Sequence, residues 1–269
     1  MKKGTLLILM LLTLVSCSKF QRLTKNPDME AKYQGAVKYY EKKDYYHALQ
    51  LFEELISVYR GTAKAEDSYY YYSFCTYYVD DYQTAAYYFN NFVQTFPNSK
   101  HTEEAQYMYA YCYYLDSPIS SLDQTSTLEA IEKFQLFINR YPQGEKVKEA
   151  NERIDELRKK LEDKSFDIAK LYFDMEEYKA SVVAFENLIN NYPGTEYKEI
   201  ALFTMLRAQY IYASKSVDTK KMERFKNTLD IYYKLVDNFP QSRYLRDAEK
   251  IFDDAKSAIN KLDTQGKNL

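Results

Sequence analysis

The sequence predicts an all-α chain, a solenoid of about five helix pairs behind a lipid-anchored N-terminus. Three observations carry that prediction. One aromatic-rich pattern recurs five times, at intervals of 37 to 51 residues. Only 6 Gly and 6 Pro occur in 269 residues, too few turn-formers for a sheet of many tight turns. An apolar run of signal-peptide length ends at a cysteine near the N-terminus.

That run extends from Leu6 to Val15 behind Lys2 and Lys3, interrupted only by Thr13. It is too short to span a bilayer and suits the core of a signal peptide. It ends in Leu14-Val15-Ser16-Cys17, which matches a bacterial lipobox: small residues let a peptidase take the backbone as an extended strand, and the Cys17 thiol carries the lipid. An ordinary secretory signal with a chance cysteine is the alternative. Residues 1–16 are thus expected as the signal peptide. Their removal takes away two lysines and no acid, moving the formal net charge from −2 to −4. Ser18 is not an inner-membrane retention Asp and Lys19 is not acidic, so the expected location is the periplasmic face of the outer membrane. Residues 17–28, polar and containing Asn26-Pro27, read as a flexible lipidated tether.

The bulk composition is globular, with 46% apolar and 28% charged residues. A net charge of −2 offers no footprint for nucleic acid. The unusual feature is aromatic: 30 Tyr, 15 Phe and no Trp.

The repeat starts at Phe52, Phe89, Phe134, Phe185 and Tyr232. Four residues before each stands a small residue: Ala48, Ala85, Ala130, Ser181 and Thr228. Apolar pairs follow three and four residues later, and another aromatic follows at seven: Tyr59, Phe96, Tyr141, Tyr192 and Phe239. Pro comes next in the last four, as Pro97, Pro142, Pro193 and Pro240, with Arg60 in the first. Nine residues beyond the second aromatic lies one more small residue: Ser68, Ala105, Ala150, Ala201 or Ala248. Each unit therefore reads as a helix with an apolar stripe stopped before Pro, a short turn, and a second helix. Small residues recur because paired helices must approach closely. No unit can bury its own stripe, so neighbours must stack.

This triplet of Ala, aromatic and Pro resembles the tetratricopeptide repeat (TPR), which implies a right-handed superhelical solenoid. The spacings of 37, 45, 51 and 47 exceed the usual unit, and the excess is local. Loops are expected at Asp116–Thr125 and near Ser214–Lys221. A charged helix from about Glu145 to Tyr172 is expected to link the repeats, with Ala150, Ile154, Leu157 and Leu161 as its narrow apolar stripe. The expected organisation is repeats one to three over 29–144, the long helix and repeats four and five over 145–260, and a fraying polar tail over 261–269.

Motifs that carry chemistry are missing. His47 and His101 lie at no metal-ligand spacing to Cys or carboxylates, and there is neither a phosphate loop nor a nucleophile elbow. The expectation is a binding protein without cofactor or metal, not an enzyme. Cys75 and Cys112, 37 residues apart, are expected as two buried thiols, with a disulfide as the alternative.

The first helices of repeats one to three share a closer pattern than packing requires. Tyr33, Tyr70 and Tyr107 are spaced by 37, as are Tyr40, Tyr77 and Tyr114. Val37, Phe74 and Tyr111 lie between them, and Glu30, Asp67 and Glu104 stand at the start. These positions share one helix face. An aromatic core stripe is the plain reading. Tyr favours a groove instead, because a phenol seeks a hydrogen-bond partner, tolerates water and anchors interfaces. The candidate groove is Tyr33, Tyr40, Tyr70, Phe74, Tyr77, Tyr107, Tyr111 and Tyr114, suited to an extended peptide with aromatic side chains.

Lipobox and five repeats together resemble the BamD-type lipoproteins of the outer-membrane β-barrel assembly machinery. The likeness rests also on Leu115-Asp116-Ser117-Pro118-Ile119-Ser120-Ser121-Leu122-Asp123-Gln124-Thr125 and on Arg153-Ile154-Asp155-Glu156-Leu157-Arg158, leading into Ala169-Lys170-Leu171-Tyr172-Phe173. The resemblance implies no catalysis. It implies that the N-terminal repeats meet the targeting signals of unfolded outer-membrane proteins, and that the C-terminal repeats dock the POTRA region of the barrel-forming subunit. Arg207, Arg224, Arg243 and Arg246 are candidates for that docking, with solvated surface charge as the alternative. Rival readings are another periplasmic TPR lipoprotein, for division or peptidoglycan coordination, and a SusD-like glycan-binding lipoprotein. The last is usually about twice this length and uses Trp for stacking.

Replacing Cys17 by Ala is expected to abolish incorporation of a labelled fatty acid and leave the uncleaved precursor, as read by labelling and mass spectrometry. Normal lipidation of that variant would remove the anchor.

Overall fold

Breakers at fixed places cut the chain into helices of similar length. The computed structural model describes residues 19–266, and every regular element among them is a helix. The first three pairs are α1 (Met29–Glu41) with α2 (Tyr45–Val58), α3 (Ala65–Tyr78) with α4 (Tyr82–Thr95), and α5 (Thr102–Asp116) with α6 (Thr125–Arg140). The long α7 (Val147–Asp174) precedes α8 (Tyr178–Asn191). Then come α9 (Lys198–Ser214), α10 (Asp218–Asn238) and α11 (Leu245–Gly266). This is the all-helical, TPR-like architecture that the repeat predicts.

The turn after each second helix is built the same way five times. The amide of Phe96 closes on Phe92, Ser99 on Phe96 and Thr102 on Ser99. The series from Tyr59, Tyr141, Tyr192 and Phe239 repeats it bond for bond. Pro is tolerated there because no helical carbonyl needs its missing N–H. Turns within pairs one, two and four use another device. Lys43, Asp80 and Glu176 take left-handed conformations, with φ of 61°, 63° and 63°. The following amides of Asp44, Asp81 and Glu177 reach back to the carbonyls of Tyr39, Thr76 and Tyr172, closing each helix end.

The repeat positions are the core. Ala48, Phe52, Ala85, Phe89, Ala130, Phe134, Ser181, Phe185 and Thr228 are fully buried, as are Ser68, Ala105, Ala150, Ala201 and Ala248 opposite them. Tyr232 alone of the leading aromatics stays half-buried, and it packs on Phe252 at 4.5 Å. The chain forms two compact units, one up to Leu157 and one from Arg158. In the first, Phe52 and its neighbours make one cluster and Phe89, Phe134, Ile154 and Leu157 another. In the second, Phe185, Leu188, Leu206 and Leu235 form the main cluster.

Two segments differ from expectation. Residues 19–24 are helical, where a flexible tether was expected. Phe20 packs on Tyr39 at 5.7 Å and on His47 at 4.2 Å, and Leu23 lies against Gly35, where a β-carbon would collide with it. Two isolated apolar residues are enough to dock the segment. At the other end, α11 runs through the expected polar tail to Gly266, because Ile259 and Leu262 continue its stripe onto Ala213 and Phe225. The signal peptide and Cys17 lie outside the described residues.

Phe134→Ala is expected to lower stability by about 3–5 kcal/mol in chemical denaturation. Lys43→Gly is expected to raise it by up to about 1 kcal/mol, since glycine takes the left-handed conformation without the β-carbon clash.

Candidate functional site

Within each unit a ladder of rings fixes successive first helices on each other. In unit one the rings of Tyr33, Tyr70 and Tyr107 are each covered by the residue just before the next first helix. The Lys64 ammonium lies 4.7 Å from the Tyr33 ring centre, the His101 ring 4.2 Å from Tyr70, and the Lys146 ammonium 5.4 Å from Tyr107. Unit two repeats this with other chemistry: Tyr197 stacks on Phe166 at 4.3 Å and Tyr244 on Phe203 at 4.4 Å. A tyrosine is paired with Lys or His, a phenylalanine with tyrosine.

Carboxylates complete the ladder. The Tyr33 hydroxyl donates to Asp67 at 3.4 Å and Tyr70 to Glu104 at 2.9 Å. The Tyr107 hydroxyl is buried facing Glu149 without a bond of standard geometry. In unit two Tyr197 donates to Asp163 at 2.8 Å. Burial first, then the facing carboxylate, pushes the phenols of Tyr33, Tyr70 and Tyr107 well above the usual value of 10.0. In the first unit Asp67 and Glu104 therefore accept from the preceding repeat, whereas Asp163 in the second accepts from the repeat that follows.

The eight candidate residues divide by depth. Tyr33, Phe74 and Tyr107 are buried; Tyr40, Tyr70, Tyr77, Tyr111 and Tyr114 are half-buried. Tyr40 sits among Tyr45, Tyr71 and Tyr78. A continuous run of rings joins most of the rest. Tyr70 meets Phe74 at 4.8 Å, Tyr77 meets Tyr111 at 6.4 Å, and Tyr111 stacks between Tyr107 and Tyr114 at 5.7 and 5.5 Å. The Tyr114 hydroxyl donates to Glu156 at 2.7 Å beneath the guanidinium of Arg153.

An open recess of about 630 Å³ lies on this run. Phe74, Tyr77 and Tyr107 form its apolar wall, and Lys100, Glu103, Glu104 and Lys146 its polar rim. Gly144 belongs to the same wall, and a β-carbon there would lie 2.3 Å from the Glu103 carboxylate. Aromatic walls with a few convergent charges at this volume suit a side chain or two of an extended peptide.

Cys75 and Cys112 are free and fully buried, and burial pushes both thiols up to about 12. In unit two Arg207 lies over Phe173 at 4.8 Å and over Phe203 at 5.9 Å, and Arg224 lies over Tyr212 at 4.1 Å. From sequence alone Lys64, Lys146, Tyr197 and Tyr244 carry no role, and His101 figures only as a poor metal ligand. Their own spacings of 37, 45, 51 and 47 match those of the repeat and would have found them. Among the described residues, no helix is long and apolar enough to cross a membrane.

A family model described as YfiO, outer membrane lipoprotein, matches residues 25–223. No curated protein matches the chain. Among solved structures, the TPR2AB domain of yeast Sti1 in its pHSP90 complex is similar at 12% identity and a TM-score of 0.40, covering 89% of this chain and 95% of that one. A Podosopora anserina kinesin light chain protein with nearly identical TPR-like repeats is similar at 12% identity and 0.34, covering 77% and 95%. Likeness at that level adds nothing to the fold read from the helices themselves.

Two outcomes are expected. Native protein should resist iodoacetamide at pH 8 at both thiols and react only on unfolding, as counted by mass spectrometry. Stability should hold below about pH 10 and fall as pH rises beyond it, because above that value the unfolded chain binds fewer protons than the folded one. Denaturant midpoints across that range read the decline.

Proposed function

The chain belongs to the YfiO family of outer membrane lipoproteins, and from that premise we propose that it is a lipid-anchored scaffold of the β-barrel assembly machinery. Its first three helix pairs receive extended segments of unfolded outer-membrane proteins. Its later pairs dock the POTRA region of the barrel-forming subunit, and Cys17 holds it to the membrane facing the periplasm.

The observation that carries this reading is the aromatic recess on Phe74, Tyr77 and Tyr107. The ladder takes the rings of Tyr33, Tyr70 and Tyr107 into packing between repeats. Tyr77, Tyr111 and Tyr114 keep half-exposed rings beside the recess. Flat apolar contact with phenol hydroxyls at its edge suits a strand that ends in an aromatic residue. Lys100 and Lys146 on the rim give a peptide carboxylate a partner, while Glu103 and Glu104 favour backbone amides or basic side chains. Specificity then resides in which end of the peptide lies toward which charge.

Pulling the tagged lipoprotein from gently solubilised outer membranes tests the assembly role. A POTRA-containing barrel subunit among the recovered chains supports it. Division, cell-wall or glycan-transport proteins without such a subunit would sink it. For the recess, Tyr77→Ala is expected to weaken binding of a peptide ending in an aromatic residue by about tenfold, read by fluorescence anisotropy at matched thermal stability.

A further inference from the structure

The long helix α7 is two first helices joined end to end. Asp163, Phe166, Ala169 and Phe173 occupy the places that Asp67, Tyr70, Ser73 and Tyr77 hold in repeat two. Fourteen residues earlier, Glu149 stands at the place of Asp163 and Ala150 at that of Lys164. Fourteen residues are close to four helical turns, the offset at which a helical pattern repeats. Ile154 and Leu157 of the first half return as Ile168 and Leu171 in the second. The second helix that should separate two first helices is missing between them.

Its absence leaves one face bare. Leu171 occupies the position of Cys75, Cys112, Ala208 and Ala255, all of them fully buried. Cys75 clusters with residues of α2, Cys112 with those of α4 and Ala255 with Phe225 of α10, while Ala208 lies on α9, which packs on α8. Even α1 has a cover, because the short helix over 19–24 sets Leu23 on Gly35 and Phe20 on Tyr39. In α1 the position itself is Lys38, a residue suited to water. In unit two it is Leu171, 55% exposed, flanked along one stripe by Ile168 at 40% and Met175 at 61%. Tyr172 completes the stripe.

The geometry points to a docking site here for an amphipathic helix from another chain, which supplies the missing second helix. A helix is the occupant because a helix covers this position at Cys75, Cys112, Ala208 and Ala255, the four places where it carries a small buried residue. Residues 19–24 show that under two turns suffice. Lys164 stands where Ser68 and Ala105 allow close approach, so the incoming helix sits over the last two turns of α7. Asp167 borders the open side of the stripe, with Asp174 beside it held by Lys170, and the complement is a helix with a basic residue beside its apolar face. The inference goes beyond the proposed function and does not depend on the aromatic recess.

A photo-crosslinking residue in place of Leu171 or Met175, in the full lipoprotein in its own outer membrane, tests it. Controls go at Tyr87 and Tyr233, which are equally exposed elsewhere. The expected adducts map to a helical segment of a partner that carries an apolar stripe with flanking Lys or Arg. Their yield should fall by about tenfold when Ile168→Glu is added. Adducts to a β-strand, to a second copy of this chain, to lipid only, or at the control level overturn the proposal. Purified Leu171→Glu is expected to melt with the parent protein, while Cys112→Glu melts far lower. A matching loss at Leu171→Glu would show that the chain covers this face itself and would equally overturn it.

Discussion

Close approach of two helices at a side chain no larger than threonine is the constraint on which the rest of this structure depends. Ala48, Ala85, Ala130, Ser181 and Thr228 are each fully buried at such a crossing, and Ser68, Ala105, Ala150, Ala201 and Ala248 meet them from the next helix. Only with backbones that close can Phe52, Phe89, Phe134 and Phe185 fill the space between pairs without voids. The candidate site is placed relative to those crossings. Within the first unit, the rings of Tyr33, Tyr70 and Tyr107 under Lys64, His101 and Lys146 add a second lock between successive first helices.

That arrangement assigns the abundant tyrosine two duties. A tyrosine under a cation, with its hydroxyl on a carboxylate, satisfies its polar atom inside the protein and leaves little for a ligand. Tyr77 and Tyr111, one or two turns further along, have rings near one another and no such cover. Unit two does the locking with Phe166 and Phe203 under Tyr197 and Tyr244, and sets Arg207 over Phe173 where unit one has Tyr111 beside Tyr77. The same packing scheme therefore accompanies a run of tyrosines in the first unit and an arginine over an aromatic ring in the second.

Much of this was legible in the residues, and the gaps have physical causes. Small residue, aromatic and Pro recur in register, so the helix pairs and their cores could be placed from spacing alone. The turns at Lys43, Asp80 and Glu176 could not, because none of these residues is glycine and backbone bonds alone close those helix ends. Docking of Phe20 and Leu23 was hidden by a polar segment that contains only those two large apolar residues. The double nature of α7 is masked by Ala150, which satisfies the small-residue spacing by itself, although Asp163, Phe166 and Ala169 stand 37 residues before Ile200, Phe203 and Leu206 of α9. At the aromatic face, the shared stripe was visible. Which rings pack and which face outward was not, since that depends on cap residues a whole repeat away.

Hydrogen exchange of the full lipoprotein, with and without a peptide from an unfolded outer-membrane protein that ends in an aromatic residue, tests the central claim most directly. The account predicts slowed exchange in α3, α5 and the turn holding Gly144, with α9 to α11 unchanged. Protection confined to α9 to α11, or none at peptide concentrations that saturate binding, would contradict it.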